Sequence, residues 1–298
     1  REENTIATRQ GHAMITTHKT GVDKDGRVIA RETTCYMDGG AYSSTGPIAT
    51  SVPFLSMEQA YRMGSVRYNG YRVYTNKPIR GMIRTHGRGF ACGVDTQLDM
   101  IADHLGMDPV EIRLRNSRQP GDYTSTKSFV DSCAMDETIH KAVEKSGFKK
   151  KWGKLPPFHG IGIGTNSVQT GFPMGIRGGS QSFIKKVVRI SLLNFTSVNA
   201  EGGYWPKVDM KREWVSNPYG QMCEAFSFGT TIVEVKVDPD TGQVEVIEVT
   251  AAQDVGYALN PLVLEGQFEG SIAMGGQGGM LTEYHEWKDG RCINTNML

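Results

Sequence analysis

The stretch from Gly70 to Asn116 constrains this chain most: a β-rich run, then a loop dense in glycine and arginine, then two helical segments. Tyr71, Val73, Tyr74 and Thr75 form the β-rich run, and Gly81, Arg84, His86, Gly87, Arg88 and Gly89 form the loop. Glycines between a strand and a helix let backbone approach another group closely. The helix that follows turns its unsatisfied amides toward the same place, which suits an anion such as phosphate.

The second half of the stretch is strongly punctuated. Leu98, Ile101, Ala102 and Leu105 recur at the spacing of one helical face, predicting a helix over Asp95–Leu105. Gly106 suits the left-handed position after it. Asp108-Pro109-Val110-Glu111 reads as a new start, with Asp as cap, Pro in the first turn and Glu at the third position.

Hairpins and short helices account for much of the rest. Ala13–Thr20 and Arg27–Cys35 flank the turn Asp23-Lys24-Asp25-Gly26. Asp38-Gly39-Gly40-Ala41-Tyr42 reads as a bend, residues 51–64 as a short helix with Met57, Ala60 and Tyr61 inward, and Val66–Tyr74 as a strand. A helix over Asp136–Ser146 is expected, capped by Asp136, with Ile139, Ala142 and Val143 inward and Gly147 as its stop. Lys149-Lys150-Lys151 and Lys154-Leu155-Pro156-Pro157 read as a solvated linker, predicting two domains, 1–152 and 153–298.

Beyond it, Gly160-Ile161-Gly162-Ile163-Gly164 opens a strand; it lacks the spacing and following helix of a dinucleotide loop. Thr230–Val237 and Gln243–Thr250 form the clearest hairpin, with Val233, Val235 and Val237 alternating with Glu234, Lys236 and Asp238. Asn260-Pro261 starts a helix running through Leu264, Phe268 and Ile272 to the glycines at 275–279, and Glu286–Asn296 forms a last hairpin.

Composition removes several classes. Thirty-three basic residues against 32 acidic ones argue against a dedicated nucleic-acid binder. The five cysteines, Cys35, Cys92, Cys133, Cys223 and Cys292, are widely spaced and form no zinc or disulfide pattern, which favours a reducing, cytoplasmic setting. No apolar run is long enough for a membrane span, and no leader peptide is visible. Glycine, at 36 of 298 residues, exceeds the usual ~7% and clusters at loops, so many tight turns or close backbone approaches are expected.

No self-contained hydrolase, metalloprotease or phosphate-loop signature is present. Six histidines, at 12, 18, 104, 140, 159 and 285, read as structural. His86 differs: Arg84 and Arg88 flank it, and two cations favour the neutral imidazole, a good hydrogen-bonding partner for a polar substrate. The bland alternative is a loop histidine packed on backbone. Arg84 and Arg88 read either as an anion clamp or as structural ion-pair partners.

The order of these motifs carries a resemblance. Tyr74-Thr75-Asn76-x-Pro78, Gly81-x-x-Arg84-x-His86-Gly87, and Leu105-Gly106-Met107-Asp108-Pro109-x-Glu111-x-Arg113-x-x-Asn116 resemble the molybdenum-cofactor subunit of the xanthine oxidase family. Thr20–Gly26, Asp38–Tyr42, Asp254-Val255-Gly256 and Asn260–Gly270 extend the likeness along nearly the whole chain. The Arg-x-His-Gly variant looks most like the 4-hydroxybenzoyl-CoA reductase branch.

The resemblance implies an α+β fold of two related molybdopterin-binding domains, built of antiparallel hairpins packed with helices, the second incomplete. It implies cofactor contacts by Ile83, Arg84, Thr85, Gly87 and Gln277, and substrate contact by His86. At Gln277 the sequence Met274-Gly275-Gly276-Gln277 departs from the family pattern, and a packing role for the glycines is the alternative. No side chain is read as a metal ligand.

The implied activity is a molybdenum-dependent hydroxylase or dehydrogenase of an aromatic or heteroaromatic compound, including aromatic CoA thioesters. The same resemblance implies two-iron two-sulfur clusters and FAD on partner chains, an iron–sulfur subunit and a flavin subunit. Aldehyde oxidation, or a degenerate subunit serving assembly, is the alternative. The family's loop before Arg1 is missing, residues 181–226 look shortened, and the family's catalytic glutamate would fall beyond Leu298; the chain is therefore expected to be part of a longer subunit and has no assigned catalytic residue.

Overall fold

The computed structural model describes residues 8–9, 11–44, 46–57, 60–81, 88–170, 184–191, 197–204, 220, 223, 225–279, 287–288 and 291–292. At 46–48, 55–57, 88–89, 170, 184–191, 197–204, 276–279, 287–288 and 291–292 only the backbone is described.

The first unit is a three-stranded sheet in the order β1–β2–β3, formed by Met14–Val22, Val28–Asp38 and Ser65–Val73. β1 and β2 make the expected hairpin, closed by Asp23, whose Oδ1 accepts from the amides of Asp25 and Arg27. β3 does not continue as a hairpin: it pairs parallel to β2, with Asp38 opposite Val73. A parallel neighbour needs a crossover, and helix α1, Gly46–Met57, supplies it. This helix begins and ends earlier than the sequence suggested. Pro47 sits in its first turn, where a missing N–H is harmless, while Ala60 and Tyr61 are buried beyond its end.

Helix α2, Arg88–Leu105, also starts earlier than Asp95. Phe90 and Val94 extend the buried stripe of Leu98 and Ala102 backward by two turns, so burial and not only the later pattern decides the start. Gly106 has φ of +65°, as its position after the helix requires. Helix α3, Pro109–Asn116, begins as expected: Asp108 Oδ1 accepts from the amides of Val110 at 2.7 Å and Glu111 at 3.4 Å. Glu111 does not complete a capping box; its carboxylate takes Arg115 at 2.5 Å.

Helix α4 spans Met135–Ser146 and lacks a side-chain cap. Asp136 lies inside its first turn and accepts instead from Ser117 Oγ and Gln119 Nε2. The lysine run is not a free linker. It forms the short helix α5, Phe148–Lys151, with Phe148 buried and Lys151 Nζ bound to Glu234 at 2.7 Å and Glu248 at 2.8 Å.

The second sheet has the order β4–β7–β8, from His159–Thr170, Ala225–Val237 and Val244–Asp254, all antiparallel. Between β4 and β7 the backbone forms a separate pair, β5 and β6, over Ile184–Ser191 and Ser197–Tyr204. The face of β7 that is buried, and packs on α4, carries Phe226, Phe228, Thr230, Ile232 and Glu234, not the valines. The period-two alternation was legible; which face α4 covers depends on tertiary packing.

Helix α6, Pro261–Gly279, starts at Asn260, whose Oδ1 accepts from the Val263 amide at 3.2 Å. A short pair, β9 (Trp287–Lys288) with β10 (Arg291–Cys292), closes the order of elements. Mixed helices and largely antiparallel sheets confirm the α+β class. Among the described residues no helix is long and apolar enough to cross a membrane.

A polar layer joins the first sheet to α2. Arg31, fully buried, donates through Nε to Thr20 Oγ1 at 2.8 Å; Thr20 donates to Gln97 Oε1 at 2.7 Å; Gln97 Nε2 donates to the His18 carbonyl at 3.1 Å. The His18 ring shares a 2.9 Å hydrogen bond with Thr33 and meets Phe90 edge-on.

Burial, and then the charge of Arg31, push the His18 pKa from 6.5 down to about 4. A depressed folded value means that the neutral ring stabilises the fold fully above pH 6.5 and loses that contribution as pH falls toward 4. His12, lowered in the same direction chiefly by burial, adds to that loss. Urea midpoints measured against pH should decline there, and His18→Gln should flatten the decline by about one proton's worth of slope. An unchanged slope in the variant would remove His18 from this account.

Candidate cofactor site

β2 and β3 run parallel, so their C-terminal ends leave the same edge of the sheet. The backbone pairing continues past both strands: Gly39 N donates to Val73 O at 2.8 Å, Thr75 N to Gly40 O at 3.2 Å, and Ala41 N to Lys77 O at 3.0 Å. The bend 38–42 and the segment 74–81 thus form one double-stranded base. Gly40 has φ of +62°, and a Cβ there would lie 2.2 Å from the Pro78 carbonyl oxygen. At Gly39 a Cβ would strike the Arg72 guanidinium, which donates to the carbonyls of Gly39 and Tyr42 and lies over the Tyr74 ring.

Asp38 is the centre of this base. Its Oδ1 accepts from the Gly40 amide at 2.9 Å and from Thr75 Oγ1 at 2.6 Å. Its Oδ2 faces Lys77 Nζ at 3.2 Å and Arg80 at 3.5 Å. Burial works to raise the Asp38 carboxyl, but donors from Thr75, Gly40 and Lys77 and the charge of Arg80 outweigh it and hold it below the ordinary aspartate value. His12 Nδ1 donates to the Asp38 carbonyl at 2.9 Å. Gly81 is buried against the Arg9 side chain, which a Cβ would meet at 2.3 Å.

From Gly81 the chain enters residues 82–87, and α2 begins at Arg88. Ile83, Arg84, Thr85, His86 and Gly87 lie outside the described residues, as does the side chain of Gln277, whose backbone is in α6. What is described is the platform from which the 82–87 segment departs and the helix to which it returns.

That helix is held firmly at its third turn. Asp95 Oδ2 accepts from the Thr165 amide of β4 at 2.6 Å, and Oδ1 accepts from Tyr61 Oη at 2.5 Å and Thr165 Oγ1 at 3.3 Å. Tyr61 and Thr165 also share a hydrogen bond between their hydroxyls. Arg113, buried in α3, places Nε 3.8 Å from Asp95 and donates through its other nitrogens to Asp99 at 2.5 Å, the Pro109 carbonyl at 2.9 Å and the Asp95 carbonyl at 3.4 Å.

Burial raises the Asp95 carboxyl above its ordinary value despite Arg113 and the donors from Tyr61 and Thr165. Burial likewise raises the Tyr61 phenol, and Asp95 adds to the rise. Burial pulls Arg113 down, but Tyr61, Asp95 and Asp99 overcome it and keep the guanidinium charged. This group ties α2, and hence the end of the 82–87 segment, to the second sheet. Sequence reasoning marked Arg113 and read Tyr61 as inward, but missed its partners Asp95 and Thr165, which lie 34 and 104 residues from Tyr61 along the chain.

The platform suits an anionic ligand. Among its described side chains the cations Arg9, Arg72, Lys77 and Arg80 outnumber the one carboxylate, Asp38. The close glycines leave backbone where side chains would otherwise stand, and α2 carries no acidic residue in its first turn. A phosphate-bearing group fits that donor set.

Comparison with known proteins agrees with this reading. The chain belongs to the molybdopterin cofactor-binding domains, as found in molybdenum-binding subunits of the xanthine oxidase family: two families of that description match residues 1–117 and 82–298. It is 36% identical over 149 residues to the nicotinate dehydrogenase large molybdopterin subunit of Eubacterium barkeri, covering 49% of this chain and 35% of that one. It is 23% identical over 348 aligned positions to the aldehyde oxidoreductase of Megalodesulfovibrio gigas, covering 86% and 38%.

Two solved structures share the fold. They are the aldehyde oxidoreductase from Desulfovibrio desulfuricans (TM-score 0.78, 17% identity, 96% of this chain and 41% of that one) and quinoline 2-oxidoreductase from Pseudomonas putida (TM-score 0.77, 16% identity, 99% and 54%). The chain spans well under two thirds of the length of each.

Proposed function

We propose that this chain forms the cofactor-holding part of a molybdenum-dependent hydroxylase or dehydrogenase acting on an aromatic or heteroaromatic substrate. The observation that carries the proposal is the cationic, glycine-lined platform at the root of residues 82–87, in a chain of molybdopterin-binding domains. Bound molybdopterin would supply the two-electron redox chemistry. Gly39, Gly40 and Gly81 let the backbone come close, and Lys77 and Arg80 provide positive charge on Asp38. Arg84 and the amides of Ile83, Thr85 and Gly87 would complete the hold on the cofactor, with Gln277 contributing from α6. His86, flanked by arginines in sequence, would stay neutral and hydrogen-bond the substrate.

The nicotinate dehydrogenase relative supports a nitrogen heteroaromatic, and the His86 variant supports an aromatic acid or its CoA thioester. Electrons would leave to iron–sulfur and flavin partner chains. The domain division is proposed near residue 152. The aldehyde oxidoreductase likeness supports aldehyde oxidation as the second reading.

Elemental analysis of the natively purified complex tests the first step, with about one molybdenum atom per chain expected. Turnover of nicotinate, quinoline, benzoyl-CoA-type and aldehyde substrates by the same preparation then separates the two readings. A complex without molybdenum would sink both.

A further inference from the structure

We infer that Asp38 is a positioning residue for cofactor retention: its negative charge orients Lys77 and Arg80 and fixes Gly81, the point from which the chain enters residues 82–87. The inference rests on the reading of the chain as a molybdopterin-binding subunit.

Four observations converge on this carboxylate. It lies at the last residue of β2, where the parallel register sets it opposite Val73. Its two oxygens are divided between two tasks: Oδ1 closes the Gly39–Gly40 bend through the Gly40 amide and reaches Thr75, while Oδ2 faces the two cations. Arg80, largely buried, is adjacent in sequence to Gly81, so the direction of its side chain and that of the departing backbone are set together. The bend is closely packed: Gly40 is at positive φ, and a Cβ there would lie 2.2 Å from the Pro78 carbonyl oxygen.

Neutral burial would not produce this arrangement. Lys77 and Arg80 repel each other, and the Asp38 carboxylate between them offsets that repulsion. Asp38→Asn separates the two tasks. The amide oxygen can still accept from Gly40 and Thr75, so the bend survives, whereas the amide nitrogen would meet two cationic donors and turn Lys77 and Arg80 away.

The experiment uses the full subunit in its native complex, comparing wild type with Asp38→Asn. Three quantities are read: molybdenum per chain, thermal midpoint, and the rate of tryptic cleavage after Arg80. Expected are a lowered midpoint, because Arg80 loses one partner of a buried pair, faster cleavage after Arg80, and molybdenum retention lower by about tenfold or more, the range seen when residues supporting a ligand shell are removed. Wild-type molybdenum content overturns the inference, whatever the midpoint and the cleavage rate, and reduces Asp38 to a bend residue.

If Asp38→Asn does not fold, or loses molybdenum only in proportion to its lowered midpoint, Lys77→Met and Thr75→Val decide the matter. Loss of molybdenum in the first, which disturbs the cation side, with retention in the second, which disturbs only Oδ1, supports the inference. The reverse order, or retention in both, overturns it. A wild-type complex free of molybdenum is a different failure, that of the functional reading; the cleavage rate after Arg80 then still reports whether Asp38 holds that residue, and an unchanged rate rejects the positioning as well.

Discussion

Arg113→Met is expected to destabilise the chain by about 3–5 kcal/mol, the range found when one partner of a buried ion pair is removed. The guanidinium is fully buried, and its bonds run to Asp99, to the carbonyls of Pro109 and Asp95, and toward the Asp95 carboxylate. Without it Asp95 keeps its buried position beside Tyr61 and Thr165 but loses its neighbouring positive charge. Burial already pushes that carboxyl upward, and removing Arg113 strengthens the push. Chemical denaturation of the folded subunit measures the loss. The double variant Arg113→Met/Asp95→Asn should recover part of it, because the uncompensated charge is then gone. A loss below about 1 kcal/mol would show that the pair is solvated and not a buried lock.

Gly40→Ala is expected to cost about 2 kcal/mol or more, from two separable sources. One is the positive φ of +62°, unfavourable for any residue with a Cβ; the other is contact with the Pro78 carbonyl, a backbone atom that cannot rotate away. Gly256→Ala isolates the first source. Its φ is +66°, but nothing lies within 4 Å of where its Cβ would stand. That variant should lose only about 1 kcal/mol. Equal losses at the two positions would mean that the segment at Pro78 yields freely, and the platform would then not be rigid.

Local chemistry was readable in the sequence wherever a single turn of chain decides the outcome. Asp23 closes its hairpin, Gly106 and Gly147 stop their helices in the left-handed region, and Asp108 caps α3 because each choice depends on residues a few positions away. The misses occur where packing decides. The start of α2 moves back to Arg88 because Phe90 and Val94 find a core to enter. Asp136 forgoes capping because Ser117 and Gln119 offer it better partners. Lys151 leaves its charged run for two glutamates on strands of the second sheet.

The site was legible as a motif and not as a geometry. Glycines and arginines at 81–89 marked the place, but Asp38, which organises the described platform, stands some forty residues earlier and appeared only as part of a bend. Asn116 shows the same limit. Its side chain bonds the Gly26 carbonyl and the Val28 amide at the root of the β1–β2 hairpin, partners ninety and eighty-eight residues away.

Helix α2 behaves mechanically as a beam clamped at several points. Asp95 fastens its middle to β4, and the packing of Met107 beneath Gly26 fastens its far end to the hairpin turn. The stretch before Asp95, Arg88 to Val94, is about 10 Å of helix, held by the burial of Phe90 and Val94. It is also where Gly89 and Gly93 fall, one turn apart, the latter letting the His18 ring approach the backbone. A ligand that settles at the head of this helix therefore meets an element already fixed to both sheets, to the first through Phe90 and Gln97 and to the second through Asp95. One rigid element thus carries both the head of the candidate site and the junction between the two sheets.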